Sequence, residues 1–211
     1  MAERHPPVQH YFTAEPAVPT RRRTVTIQLP DQAITLETDR GVFSVAGLDP
    51  GTEVLLRGIP APPAAATVLD LGCGHGVVAI TIARRAPGSQ VIAVDVNGRA
   101  LELTRSNAAA NGVANLTTCR PEEVDETLRF AAIYSNPPIR VGREPLLELL
   151  ATWLARLEPD GRAYLVVQRH LGADSLAVLL RGRGFQVARL RSTRGYRLLE
   201  VRASAPASHH G

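Results

Sequence analysis

The chain reads as an α/β protein built on a doubly wound, mostly parallel sheet of seven strands with an antiparallel edge strand, plus an N-terminal β-hairpin extension. Three observations lead there. From Thr67 onward, apolar runs of strand length alternate with segments of helical periodicity, the rhythm of a parallel sheet covered on both faces. The last two apolar runs, "FQVARLR" and "YRLLEVR", are separated only by "STRG", too short for a crossover and therefore an antiparallel pair. Ahead of the linker "APPAAA", the stretch "TVTIQLPDQAITLET" alternates apolar and polar residues around Pro30-Asp31, as a hairpin does.

Each element follows from its own residues. "TVLDLG" is a strand and "GVVAITIARRAPG" a helix closed by Pro87-Gly88; "QVIAVDV" is the next strand, and "GRALELTRSNAAANG" a helix stopping at Asn111-Gly112. "NLTTC" and "AAIYSN" are strands, and "EPLLELLATWLARLEPDG" is a helix with Leu146, Leu149, Leu150 and Trp153 at helical spacing. "RAYLVVQ" and "ADSLAVLLRGRG" add a strand and a helix before the terminal pair, and Thr52–Leu56 forms a short amphipathic piece ahead of the linker. The expected division is 1–60 as an extension packing on the main domain, 61–203 as that domain, and 204–211 as a disordered tail.

An apolar content of 45% suits a globular protein with its own core. No apolar run is long enough to span a bilayer, and "MAERHPPVQH" has charges and prolines where a signal peptide needs an apolar centre. The expectation is a soluble, cytoplasmic protein. Cys73 and Cys119 form no CxxC pair and read as reduced core residues, and the scattered histidines suggest no metal site. The net charge of +4 divides unevenly: 14 Arg against 16 acids in residues 1–150, but 10 Arg against 4 acids in 151–211. That basic C-terminal third suits a phosphate-bearing partner such as RNA.

In open sheets of this kind, ligands bind beyond the carboxyl ends of the strands. The peptides there are "GCGHG", "DVNG", "CRPEE", "NPPIR" and "QRHLG". Asp70-Leu71-Gly72-Cys73-Gly74-His75-Gly76 joins the first strand of the main domain to its helix, and its glycines let a ligand approach the backbone. Asp95 ends the following strand, where a carboxylate can accept from ribose hydroxyls. These features point to an adenosine-containing cofactor without choosing between a dinucleotide and S-adenosylmethionine. The spacing G-x-G-x-G departs from the G-x-G-x-x-G of nicotinamide proteins.

"IYSNPPIRVGRE" ends a strand at an asparagine and two prolines. Asn136 precedes a proline and is held extended, while Pro137 and Pro138 have no N–H. The backbone there offers acceptors without competing donors, and the Asn136 carboxamide oxygen adds another. The matching guest is an –NH2 group. A plain Pro-Pro loop closing a strand is the blander alternative.

With these motifs on the page, the chain resembles the small-domain (MTS) class I methyltransferases, in particular their guanine-N2 ribosomal RNA small subunit methyltransferase C branch. "HYFTAEP", "GVFSVAGLDPGTEVLL", "VLDLGCGHG", "VDVNGRALELTRSNAAANGV", "SNPPIRVG" and "RGYRLLEV" carry the resemblance. It implies a Rossmann-like methyltransferase sheet and S-adenosyl-L-methionine as cofactor. It implies cofactor contacts from Asp70, Gly72, Cys73, Gly74, Asp95, Val96, Asn97, Asn136 and Thr52, and a grip on the target amine by Asn136, Pro137, Pro138 and Ile139. Glu122 or Glu123 would meet the adenine amino group. Phe43 and Ser44 would fold over the pocket, and Tyr11-Phe12, Arg140 and Arg143 would touch substrate. Separately, the basic C-terminal third suggests RNA-phosphate contact by Arg169, Arg194 or Arg197.

Ile139 stands where relatives acting on adenine or on protein glutamine carry an aromatic. Ala131 replaces the family's usual Asp before the strand, and Arg120-Pro121 replaces its "SD". The two-domain rRNA methylases carry a further N-terminal domain with no counterpart in these 211 residues, so the target nucleotide does not carry over. The implied activity is N-methylation of guanine in small-subunit rRNA. The alternatives are tRNA, a protein glutamine or a small amine as substrate, or a non-catalytic RNA-binding module.

Overall fold

Among the described residues, nine strands and five α-helices follow one another along the chain, and the first pair of strands stands apart from the rest. The structure, a computed structural model, describes residues 21–39, 42, 48–138 and 142–203. The hairpin is β1 (Arg23–Gln28) with β2 (Ala33–Thr38), paired antiparallel from Arg23↔Thr38 to Gln28↔Ala33. The helix α1 (Pro50–Gly58) follows and extends the short amphipathic piece expected at Thr52–Leu56. Then come β3 (Thr67–Leu71), α2 (Val77–Arg85), β4 (Gln90–Val94), α3 (Gly98–Ala110), β5 (Leu116–Cys119) and β6 (Phe130–Ser135). α4 (Arg143–Leu154), β7 (Leu157–Gln168), α5 (Ala173–Gly182), β8 (Phe185–Thr193) and β9 (Tyr196–Ala203) complete the chain.

The large sheet has the order β5-β4-β3-β6-β7-β9-β8, parallel except where β9 runs against β7 and β8. The chain works outward from β3 to β5, then returns to lay β6 on the other side of β3. A crevice must open above the carboxyl ends of those two neighbours. Ser135 Oγ donates to Leu71 O at 2.7 Å and ties the two ends together. β8 and β9 meet through Arg194-Gly195, both with positive φ, the backbone of a two-residue turn that matches the twist of its strands.

One expected boundary moves. The helix read over 144–161 ends at Leu154, and Leu157–Gly161 joins β7 instead. Pro159 cannot sit inside a helix. Phe130 N donates to Arg156 O at 2.9 Å and pairs with Leu157. The Arg156 guanidinium lies over Phe130 and Trp153, at 5.3 and 4.8 Å, which pins the exit of α4 against the start of β6.

The hairpin shares the core of the sheet. Ile27, Ile34, Leu36, Val54 and Leu55 belong to the same buried cluster as Val68, Ile80, Ala93 and Leu198, while Leu69, Ile133, Leu150, Trp153, Leu165 and Leu180 fill the opposite face. Asn107 of α3 links the hairpin to the glycine loop. Its Oδ1 accepts from Glu37 N at 2.8 Å, and its Nδ2 donates to the carbonyls of Glu37 and His75 at 2.9 Å each. Asn107→Ala leaves these buried backbone groups unpaired and is expected to cost about 2–4 kcal/mol in urea unfolding. A loss below about 1 kcal/mol would show that the hairpin is held by apolar packing alone.

Candidate functional site

The glycine loop is shaped mainly by its own backbone bonds. Gly72 N and Cys73 N both donate to Val94 O, at 2.8 and 3.0 Å, and Gly76 N returns to Cys73 O. Gly72, Gly74 and Gly76 all have positive φ, the conformation that glycine adopts without strain. At Gly76 a Cβ would strike the Thr104 side chain at 2.9 Å, so glycine is also needed for packing there. Gly76 is the N-cap of α2 and lends it no side-chain bond. Asp70, reaching up from β3, accepts from Ala79 N at 2.9 Å and supplies what the cap lacks.

Asp95 lies just past β4. Its Oδ2 accepts from Gly74 N at 3.0 Å and its Oδ1 from Asn97 N at 2.9 Å, so the acid that ends one strand also braces the loop after another. Asn97 caps α3 through Arg99 N. Cys73 is buried, with Thr104 Oγ1 3.4 Å from its sulfur, so any contact it makes in the cleft is through its backbone. Among the described residues, no atom lies within 4 Å of where a Gly72 Cβ would stand, leaving that side of the loop open. Each Asp95 oxygen keeps a lone pair beyond its backbone bond. This acceptor-rich, anionic wall fits a cofactor with hydroxyls, an ammonium and a sulfonium charge.

Across the crevice, Asn136 follows β6 and meets a cluster from α1. Its Nδ2 donates to Asp49 Oδ2 at 2.8 Å and to Thr52 Oγ1 at 3.0 Å. Thr52, expected against the cofactor, thus touches the carboxamide. Asp49 is the N-cap of α1, with Oδ2 accepting from Thr52 N at 2.9 Å. Tyr196 walls this corner, since a Cβ on Gly51 would meet its ring at 2.8 Å. Burial, and then the charge of Asp49, raise the Tyr196 phenol. Asp49 and Tyr196 were not among the expected site residues. Only the Asp-Pro start of α1, a favoured cap and first-turn pair, signalled the first.

The remaining expectations divide. Glu123 Oε2 caps the 3-10 turn after β5 by accepting from Arg120 N at 2.6 Å, leaving the exposed Glu122 as the uncommitted carboxylate of the pair. Val96 O accepts from Arg120 Nη1 at 3.4 Å. Arg143 is exposed at the start of α4, directly after the proline corner, and Arg169 is exposed just beyond β7. The other two arginines expected on phosphate are engaged within the protein. Arg194 pairs with Glu53 of α1. Arg197 pairs with Asp174 of α5, and its side chain is only 15% exposed, so it braces the fold rather than facing a partner. Phe43, Ser44, Ile139, Arg140 and Tyr11-Phe12 lie outside the described residues.

Burial dominates the electrostatics. Desolvation pushes Asp70 up to about 7 against the pull of the Ala79 N–H, with the charge of Asp95 adding to it. Asp95 is raised by the same cause, and the Cys73 thiol is pushed up by burial and by both acids. Burial holds the His75 imidazole down at about 4, and its buried Nδ1 has no partner among the described residues. In the unfolded chain Asp70 titrates near about 3.9. The native state therefore holds its proton to higher pH, and this stability is full below about 4 and lost as pH rises through about 7. His75 acts the other way, losing its contribution as pH falls from about 6.5 toward about 4. In the ligand-free protein, Asp70→Asn is expected to gain on the wild type between about pH 4 and 8, by on the order of 4 kcal/mol. Urea titrations giving a pH-independent difference would contradict this.

Residues 33–200 match the model of the methyltransferase small domain. The uncharacterized protein YbxB of Bacillus subtilis is 29% identical, over 92% of this chain and 98% of its own length. Ribosomal RNA small subunit methyltransferase C of Stutzerimonas stutzeri is 32% identical over 83% of this chain, which spans 56% of that relative. Among solved structures, the Thermus thermophilus 16S rRNA N2 G1207 methyltransferase, in complex with AdoMet and guanosine, superposes with a TM-score of 0.73. It is 27% identical, over 89% of this chain and 52% of that one. The chain therefore spans about half the length of these rRNA methylases. It belongs to the methyltransferase small-domain family.

Proposed function

We propose that the protein transfers a methyl group from S-adenosylmethionine to an exocyclic amine, that of guanine N2 in small-subunit ribosomal RNA. The observation that carries this reading is the Asn136 carboxamide at the crevice, with its NH2 end held by Asp49 and Thr52. Its oxygen is left to accept, and Pro137 and Pro138 beside it bring no N–H to compete. When bound, S-adenosylmethionine supplies an electrophilic methyl on a sulfonium sulfur, which keeps the electron pair of the broken C–S bond. Asp95 and the glycine loop would hold the nucleoside and methionine parts of the cofactor.

Asn136 Oδ1 and the carbonyls of the proline corner accept the two amine hydrogens and leave the nitrogen lone pair as the attacking group. Aniline-like nitrogens are weak nucleophiles, so orientation and electrostatics carry most of the acceleration. The nitrogen gains positive charge as its new N–C bond forms, and the hydrogen bond to Asn136 Oδ1 strengthens with it. One proton then leaves for water. Names of the relatives support the substrate assignment, as does the exposed Arg169 among the arginines of the C-terminal third.

Asn136→Ala is expected to lower kcat by about 100-fold or more, while the affinity for S-adenosylmethionine changes by less than about threefold. The assay is labelled-methyl transfer to naked 16S RNA, to small subunits and to ribosomes, followed by nucleoside analysis for N2-methylguanine. Transfer to tRNA or to protein alone would overturn the substrate assignment and keep the amine chemistry. RNA binding is expected to weaken steeply with salt, and Arg169→Ala to reduce the log–log slope by about 1. A slope unchanged by that substitution would remove Arg169 from the phosphate contacts.

A further inference from the structure

An asparagine side chain at a strand end can turn by half a revolution and exchange its oxygen for its nitrogen at little cost. Asn136 is prevented from doing so by residues 87 and 84 positions earlier in the chain. Both its amide hydrogens are taken, by Asp49 Oδ2 at 2.8 Å and by Thr52 Oγ1 at 3.0 Å. The Thr52 hydroxyl lies 3.4 Å from the same Asp49 oxygen and can donate to it. A carboxylate only accepts, so a turned Asn136 would set oxygen against oxygen. No donor among the described residues reaches Asn136 Oδ1.

The support behind Asp49 is equally specific. Its Oδ2 is fixed by Thr52 N at the first turn of α1, at 2.9 Å. A Cβ on Gly51 would come within 2.9 Å of that oxygen and 2.8 Å of the Tyr196 ring, so this corner has no slack. At the other end of α1, a Cβ on Gly58 would strike Leu198 at 2.6 Å. The helix is therefore seated closely on β9, and Asp49 has little room to shift relative to the sheet that carries Asn136.

We propose that Asp49 is a positioning residue for the methyl-transfer reaction: it locks the Asn136 carboxamide with its oxygen turned away from α1, and its charge strengthens that oxygen as an acceptor for the target amine. Hydrogen bonds in a chain polarise one another. A negative charge at the NH2 end of the amide shifts electron density toward Oδ1, the atom facing a nitrogen that becomes positive. This inference rests on the amine-methylating reading of the site. It adds a residue from the N-terminal extension that never touches substrate.

Two substitutions in the full chain test it. Asp49→Ser keeps a favoured N-cap for α1, but its hydroxyl is one bond shorter and cannot serve both Thr52 and Asn136. Asp49→Asn keeps an acceptor oxygen at full reach without the charge. For Asp49→Ser the expectation is a melting temperature and S-adenosylmethionine affinity close to wild type, an RNA KM within about threefold, and kcat lower by about 100-fold. Asp49→Asn is expected to recover about tenfold of that loss. In 15N-labelled protein, an Asn136 Nδ2 proton shifted downfield by the carboxylate should move upfield in Asp49→Ser. Wild-type kcat in Asp49→Ser would overturn the proposal. So would a loss of kcat that follows melting temperature and cofactor affinity, or an Asp49→Asn as impaired as Asp49→Ser. If the wild type methylates no amine, the reading of the reaction fails, and the Asn136 resonance still decides: no change in Asp49→Ser overturns the lock itself.

Discussion

Ser135 Oγ donates to Leu71 O at 2.7 Å across the boundary where the strand order of the sheet reverses, and both residues are buried. Above that bond, one strand end opens into the glycine loop and the other into the Asn-Pro-Pro corner. The ladder between β3 and β6 stops at Asp70↔Tyr134, so this side-chain bond continues it by one more step. Because the two strand ends cannot splay, the distance between loop and corner is set by the spacing of neighbouring strands. Under the proposed amine methylation, such a constraint would matter, because misplacement of about 1 Å costs roughly two orders of magnitude in rate.

The loop side depends on buried polar groups that serve the scaffold first. Asp70 completes the cap of α2, Asp95 ties Gly74 to Asn97, and Thr104 holds Gly74 O at 3.0 Å. Packing two acids this close in a dry environment disfavours their charged forms. A cationic ligand in the crevice would relieve that strain, so the burial of these two acids favours a positively charged guest.

The corner side depends on the N-terminal extension. The hairpin is fastened to α3 by Asn107 and by Asn111, whose Nδ2 donates to Thr35 O at 2.8 Å. Salt links of Arg85 with Asp31 and hydrogen bonding to Leu56 O bind the hairpin and α1 to α2. α1 in turn lies on β9, with Arg194 of the β8–β9 turn pairing with Glu53. The extension thereby covers one face of the sheet and delivers Asp49 and Thr52 to the end of β6.

Much of this was written locally. The alternation of apolar strands with periodic helices, the glycines that need positive φ, and the proline pair that ends β6 each follow from neighbouring residues, because propensity and turn chemistry act over a few positions. The long helix expected through Gly161 failed for a reason partly visible beforehand, Pro159, and partly not, the pairing of Leu157 with Phe130. The basic character of the last third was legible too, but not which arginines are spent internally. Arg197 and Asp174 are 23 residues apart in the chain and meet only when β9 lies beside α5. The same holds for Asp49 and Asn136: each is explicable alone, as a helix cap and as a strand end. Composition and short motifs thus determined the fold class, the glycine loop and the Asn-Pro-Pro corner. Only the tertiary structure decided which way the Asn136 carboxamide faces, because a hydrogen bond between side chains 87 positions apart exists only once the sheet order has brought them together.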